Sequence, residues 1–409
     1  MWVRGNKRDY DRWEEEEGAK GWSWEKVLPT FNSLENFERG NPKLRGKSGA
    51  IHPRETGSKI SYFVDTVESM EKSGVAKKVE DYNDGNQFGC GFTQESVLKD
   101  GTRADAFSAF IEPLLKDEKF KGKLRVVSEA KVHRVHFNSK KQVSGVKVRV
   151  DGGFKFLSAN KEVILSAGAL ISPQILMLSG IGDSKELEKF GIEVVHDNKH
   201  VGKNMHDHPL VRVIFESNRR VPSGTEMGGS LLAHAFYQST VSKRDTPNDG
   251  PDMQLVACTN FPPLALIYAL TLNMIKGWMG NKYPRARTLM GNLKNNLSRF
   301  FEFLARNHSP TWDTFSKAAG FGICSNQPFS RGHLTISTDN IDDQPLMEMN
   351  VLKDQRDVDK LVEAVETCYK VIETAPLSNY FVKWIAPPKK LDKKEDIEKY
   401  VRGEVALAW

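Results

Sequence analysis

His206-Asp207-His208 places two imidazoles on either side of a carboxylate. In an extended segment alternate side chains point the same way, so such a pair can share a metal ion if further ligands converge on it. No HExxH spacing or CxxC pair accompanies it, and Pro209 marks a turn of the chain. Histidines satisfied by backbone partners are therefore the favoured reading. No GxSxG elbow is present, so nucleophilic serine chemistry has no support. Gly89-Cys90-Gly91-Phe92-Thr93-Gln94 comes nearest to a phosphate-binding GxGxxG loop, but it lacks the third glycine and follows no predicted strand, so a turn is expected there. Gly180-Ile181-Gly182 follows a predicted helix instead of preceding one and reads as a helix C-cap. Trp2, Trp13, Trp22 and Trp24 could stack on a planar ligand, although for any one of them a core anchor is the safer expectation. The residues alone leave the chemistry undetermined.

The elements around these residues are easier to read. Ser23 is placed to cap a helix from Trp24, with Pro29 expected just after its end, and the apolar spacing over Ser58–Ser73 predicts a helix ending at Gly74. Four β-rich runs, Leu124–Val127, Val132–Phe137, Val143–Val150 and Glu162–Leu165, follow, with Gly152-Gly153 suited to a hairpin. Val163-Ile164-Leu165 is continuously apolar, as in a strand buried on both faces of a parallel sheet. Ser172 then predicts an N-cap, Pro173 a first helical position and Gly180 a stop. Leu210–Asn326 carries no strong pattern, whereas His333–Ser337 alternates as a strand and Asp354–Ala375 is a clear amphipathic helix. The result is an α/β domain with a second, irregular one.

Composition sets the outer bounds. At 409 residues the chain is long enough for two or three domains of about 150 residues each. With 39% hydrophobic and 27% charged residues it is neither collagenous, nor disulfide-dense, nor wholly disordered. Fifty-nine Lys+Arg against 53 Asp+Glu give +6, too dilute to argue for nucleic acid, and short clusters such as Lys140-Lys141 read as solvated surface. The four cysteines are far apart and leave disulfide pairing open. Phe261–Ile275 is short for a membrane span and predicts a buried or interfacial helix, and Asn296 and Asn307 head glycosylation sequons.

Five segments stand out in order along the chain: Trp2–Trp13 with Gly21–Pro29, the fifteen residues Gly168–Gly182, Val201–Pro209, Pro251-Asp252-Met253-Gln254, and Ser330-Arg331-Gly332. Together, and in this order, they resemble the glucose-methanol-choline (GMC) oxidoreductase family. In character the chain is most similar to arthropod glucose dehydrogenase-like members. The resemblance implies an α/β fold, α+β overall: an incomplete FAD-binding Rossmann-like domain of glutathione-reductase type, with a substrate domain built on an antiparallel sheet. It divides the chain into an N-terminal region 1–209, a substrate-domain and lid region 210–325, and a C-terminal region 326–409.

The implied reaction is oxidation of a CH–OH group in an alcohol or sugar, with FAD as cofactor and oxygen, a quinone or another acceptor taking the electrons. The resemblance assigns Val132 to the adenine end of FAD through its backbone, and sets Met1 at the edge of the flavin-contacting segment. It assigns no catalytic residue and no metal. The family's catalytic histidine segment is expected just beyond Trp409, and its GxGxxG unit before Met1. These 409 residues are thus expected to be an inactive piece of a longer enzyme. A hydroxynitrile lyase on the same scaffold and a truncated, non-enzymatic binding protein are the alternatives. No nucleic acid or transmembrane span is expected. Secretion, known among arthropod relatives, is the one pointer to compartment.

Overall fold

The computed structural model describes residues 1–55, 57–97, 102–222, 231–259 and 317–407. Phe261–Ile275 and both sequons lie outside the described residues. Along the chain come helices α1 (Lys7–Glu15), α2 (Trp24–Leu34) and α3 (Ser61–Lys72), then strands β1 (Gly89–Phe92), β2 (Lys131–Phe137), β3 (Val143–Val150) and β4 (Gly153–Ser158). Helix α4 (Gly168–Leu178) precedes strands β5 (Pro209–Ser217), β6 (Leu231–Tyr237), β7 (Met253–Thr259), β8 (Ala318–Ser325), β9 (His333–Thr335) and β10 (Leu346–Glu348). Helix α5 (Gln355–Ile372) and strands β11 (Phe381–Ala386) and β12 (Ala406–Leu407) follow, with a further helix over Lys394–Glu404 and several shorter elements between those named.

Contacts divide the chain into two compact units, each assembled from separated segments. The first comprises Met1–Pro113, His208–Gln327 and Val358–Ala408, and the second is built mainly from Leu114–Asp207 and Pro328–Asp357. The first unit is organised by a seven-stranded sheet in the order β11-β5-β8-β7-β6-β1, with β12 beside β5. Every pairing in it is antiparallel. Val211, Val213, Phe215, Ala233, Ala235, Leu255, Ala257, Phe321 and Ile323 are fully buried on one face. Helix α3 contributes Tyr62, Phe63, Val67 and Met70 to this core, and α5 contributes Leu361, Val365, Cys368 and Ile372. Each Val, Leu, Ile, Phe or Met among them is worth roughly 1.5–3 kcal/mol in apolar area removed from water.

The second unit holds the three-stranded antiparallel sheet β2-β3-β4. Val135 of that sheet packs with Ile175, Met177 and Leu178 of α4 and with Leu187, Leu334 and Ile336. The β3–β4 connection turns at Asp151-Gly152, where Gly152 adopts φ +75°, as the glycine pair predicts.

Several expectations are corrected. Leu124–Val127 and Val163–Leu165 join no sheet among the described residues, and Ile164 is 77% exposed. Their apolar runs mark strand propensity, but no neighbouring strand among the described residues supplies the ladder hydrogen bonds that a strand needs. Gly89–Phe92 is a strand instead of a turn, paired with β6 through Gly91 and His234. Helix α4 starts at Gly168, ahead of Ser172, so Pro173 lies within it. Pro29 likewise sits inside α2, and Ser23 makes no side-chain cap bond there. Leu210–Asn326, read as patternless, supplies the centre of the large sheet. Strand β8 is buried at all eight positions, which erases the alternation that reveals a half-exposed strand.

Candidate functional site

Residues 2–6 form an extended segment before α1, and their side chains and backbone are tied into the first unit. Arg4, Glu35 and Arg45 are almost wholly buried. The Glu35 carboxylate accepts from Arg4 Nη2 at 2.7 Å, Arg45 Nε at 2.7 Å, Trp2 Nε1 at 2.7 Å and the Gly46 N–H at 3.0 Å. Arg45 also donates to Asp81 at 2.6 Å and to Gln94 Oε1 at 2.9 Å, and stacks on the Phe37 ring at 4.1 Å. Burial lowers the Arg4 guanidinium from 12.5 to about 10, with Glu35 opposing that shift. The Arg4 backbone N–H donates to Asn83 Oδ1 at 2.6 Å, and the Trp2 carbonyl accepts from Tyr82 Oη and Asn83 Nδ2, each at 3.0 Å. A segment so densely pinned holds its neighbours to a fixed geometry, as a binding site requires.

The large sheet continues this site. His234, Val256, Gly322 and Arg212 lie in register across β6, β7, β8 and β5, on the face opposite the core. His234 is fully buried, with Nδ1 3.1 Å from Thr93 Oγ1 and its ring edge-on to Tyr82 at 4.2 Å. Burial pushes its pKa down from 6.5 to about 3, so the imidazole is neutral. Among the described residues its Nε2 has no hydrogen-bond partner, and neither does Nε2 of the buried Gln254. Buried polar atoms without partners are costly, and a polar ligand group would satisfy them.

Pro251-Asp252-Met253-Gln254 also has a structural side. Asp252 accepts from the Ser239 backbone and hydroxyl at 2.7 Å each and pairs with the buried Lys360 at 3.0 Å.

In the second unit Val132 is the second residue of β2, opposite Val148, with the register shifting just after it. Its side chain is half-buried against the α4 cluster. The motif segments Val201–Pro209 and Ser330–Gly332 meet, although they are far apart in sequence. Met205 and Gly332 exchange backbone hydrogen bonds at 3.0 and 2.7 Å, and Leu334 N–H reaches Gly202 at 2.6 Å. Asp357 accepts from the backbones of Phe329 and Ser330 at 2.7 Å each. A Cβ on Gly332 would stand 2.0 Å from the Glu348 carbonyl oxygen. Gly332→Ala is accordingly expected to cost about 1–3 kcal/mol in a urea titration, and an unchanged midpoint would refute that packing.

His206 Nδ1 lies 3.0 Å from its local Asn204 carbonyl, and no cluster of three or more potential ligands exists among the described residues. All four cysteines are free thiols. For a dinucleotide, the second unit offers the β2 backbone and an N-terminal turn of α4 without a side-chain cap, where anions are favoured. The 409 residues contain no GxGxxG loop, so the fit covers part of such a cofactor. Of the residues described, sequence reasoning named Val132 and missed Glu35, Arg45, Asp81 and His234. Trp2 and Arg4 stood inside the Trp2–Trp13 motif, and Asp252 and Gln254 inside Pro251-Asp252-Met253-Gln254.

Comparison with known proteins places this fold among the flavoprotein oxidoreductases. An Aspergillus oryzae RIB40 formate oxidase, studied for its FAD modification, superposes with a TM-score of 0.76 at 20% identity, covering 100% of this chain and 71% of that one. GMC oxidoreductase models match residues 1–210 and 328–409, and the chain belongs to the GMC oxidoreductase family. An oxygen-dependent choline dehydrogenase of Rhizobium rhizogenes is 35% identical over 424 residues, covering 100% of this chain and 68% of the relative. That of Photobacterium profundum is 27% identical over 418 residues, covering 100% and 66%. The chain thus spans about two thirds of the length of the curated relatives it matches.

Proposed function

We propose that this chain works within an FAD-dependent oxidoreductase that oxidises a CH–OH group of a small alcohol or sugar. The observation that carries the reading is the family match over both ends of the chain, 1–210 and 328–409. Bound FAD would supply the hydride acceptor. The chain's own part is to bind and orient. The backbone of Val132 takes the adenine end. The Arg4–Glu35–Arg45 network fixes the segment at Met1. His234 and Gln254 present polar atoms to the substrate side of the sheet. Because His234 is neutral, it can orient a hydroxyl without adding charge. No residue of the chain is assigned the role of proton-accepting base.

Choline dehydrogenase relatives support an alcohol, and glucose is the competing substrate that the sequence motifs suggest through their resemblance to glucose dehydrogenase-like members. Oxygen, a quinone or another acceptor would reoxidise the flavin. The intact protein should be mixed anaerobically with choline, glucose and simple aliphatic alcohols in turn. Loss of the oxidised flavin's visible band with one of them is the expected result. A flavin that stays oxidised with every CH–OH donor would refute the proposal.

A further inference from the structure

The chain's net charge is unevenly placed. Between Glu129 and Glu162 stand eight lysines and arginines against three acidic residues, whereas the whole chain carries +6. Strands β2, β3 and β4 fold this segment into one sheet. Its valines Val135, Val146 and Val148 turn inward, leaving the other face to solvent.

That outer face carries Phe154 and Phe156, 54% and 55% exposed. Both rings are held in place. Phe154 meets His133 edge-on at 5.5 Å and lies 4.5 Å from Lys147 Nζ, and Phe156 meets His136 edge-on at 5.6 Å. Gly145 leaves room for the second ring, since a Cβ there would come 2.7 Å from Phe156 Cζ. Alternate strand positions set the two rings roughly 7 Å apart. Lys131, Arg134, Lys147 and Arg149 come from the neighbouring strands. Asp342 engages Lys131 and Arg149, each at 2.7 Å. Arg134 and Lys147 have no carboxylate partner within 4 Å among the described residues. Val143 adds exposed apolar surface on the same sheet.

We propose that this face is a peripheral docking surface for a lipid bilayer bearing anionic headgroups. The cations match the headgroup charge, and the two rings can enter the boundary between headgroups and acyl chains. Rings standing out from an exposed sheet face suit a soft, penetrable surface, whereas a protein partner would have to supply a matching concavity. The mode needs no spanning segment, and no helix among the described residues is long and apolar enough to cross a membrane.

The purified 409-residue chain should co-sediment with phosphatidylcholine vesicles containing phosphatidylserine, and not with phosphatidylcholine alone. Binding should weaken as salt rises. At about fivefold per cation near the surface, Arg134→Gln with Lys147→Gln should weaken the partition about 25-fold. Phe154→Ser with Phe156→Ser should abolish the fraction that resists salt. Both pairs are on the outer face, and an unchanged circular dichroism melt would show that the fold is intact. Equal binding to both vesicle types, wild-type binding by either variant, or preferential retention by duplex DNA would overturn the proposal. So would binding by the 409-residue chain that a longer native chain lacks, because another segment would then cover the face.

Discussion

Glu35→Gln is expected to destabilise the protein by about 3–5 kcal/mol, the range for removing one partner of a buried ion pair. The carboxylate serves two guanidiniums that are themselves out of water, with side-chain exposures of 1% and 0%. An amide keeps the shape but not the charge, and its NH₂ would face donors. Arg45 retains Asp81 after the change, while Arg4 is left with the Leu44 carbonyl and the Asn32 amide oxygen. Most of the cost should therefore fall on Arg4. Adding Arg4→Met to Glu35→Gln should recover part of the loss, since the two residues share one network and their effects are not additive. Urea unfolding checks this: the midpoint should fall with the slope unchanged. A loss under about 1 kcal/mol would mean that water reaches the network and screens it, as at surface pairs.

The second large effect is a loss of stability in acid caused by His234. An unfolded histidine titrates near 6.5, while burial holds this one at about 3 when folded. Between those values the unfolded chain binds a proton that the folded one refuses, so stability falls as pH falls. The penalty begins near pH 6.5, is about 2 kcal/mol at pH 5, and keeps growing down to the folded value. Half-buried Asp9 and Glu55 act in the opposite sense, because desolvation raises both carboxyls. The difference between wild type and His234→Phe isolates the histidine. The variant should lose some stability at neutral pH, where Thr93 gives up its partner, and should decline less steeply below pH 6.5. Parallel curves for the two proteins would show that His234 is charged in the fold.

The sequence disclosed whatever depends on local periodicity. Helix α5 was legible because Val358, Leu361, Val362, Val365 and Ile372 repeat on one face, and all are buried. Gly74, at φ +74°, ends the α3 region as read. The site was far less visible. Arg4, Glu35, Arg45 and Asp81 are scattered through the first unit, and charged residues taken singly are expected at the surface. Their burial arises only when the chain brings both signs together. His234 sits in a run of apolar residues and signals nothing until Thr93 and Tyr82 are beside it. Motif order, by contrast, carries the family resemblance in the sequence itself.

The large sheet also dictates when the protein can fold. Strand β5 lies between β8 and β11 and pairs at Pro209 and Leu210 with Leu407 and Ala406. The edge strand at the other end begins at Gly89. A nascent chain cannot close this sheet until synthesis has passed residue 407, at roughly 5–20 residues per second. Pairings so distant in sequence also make folding slow. For about 10–40 s the apolar strand 209–217 awaits partners that have not all been made, so yield in a cell should depend on chaperones more than on the stability of the finished fold.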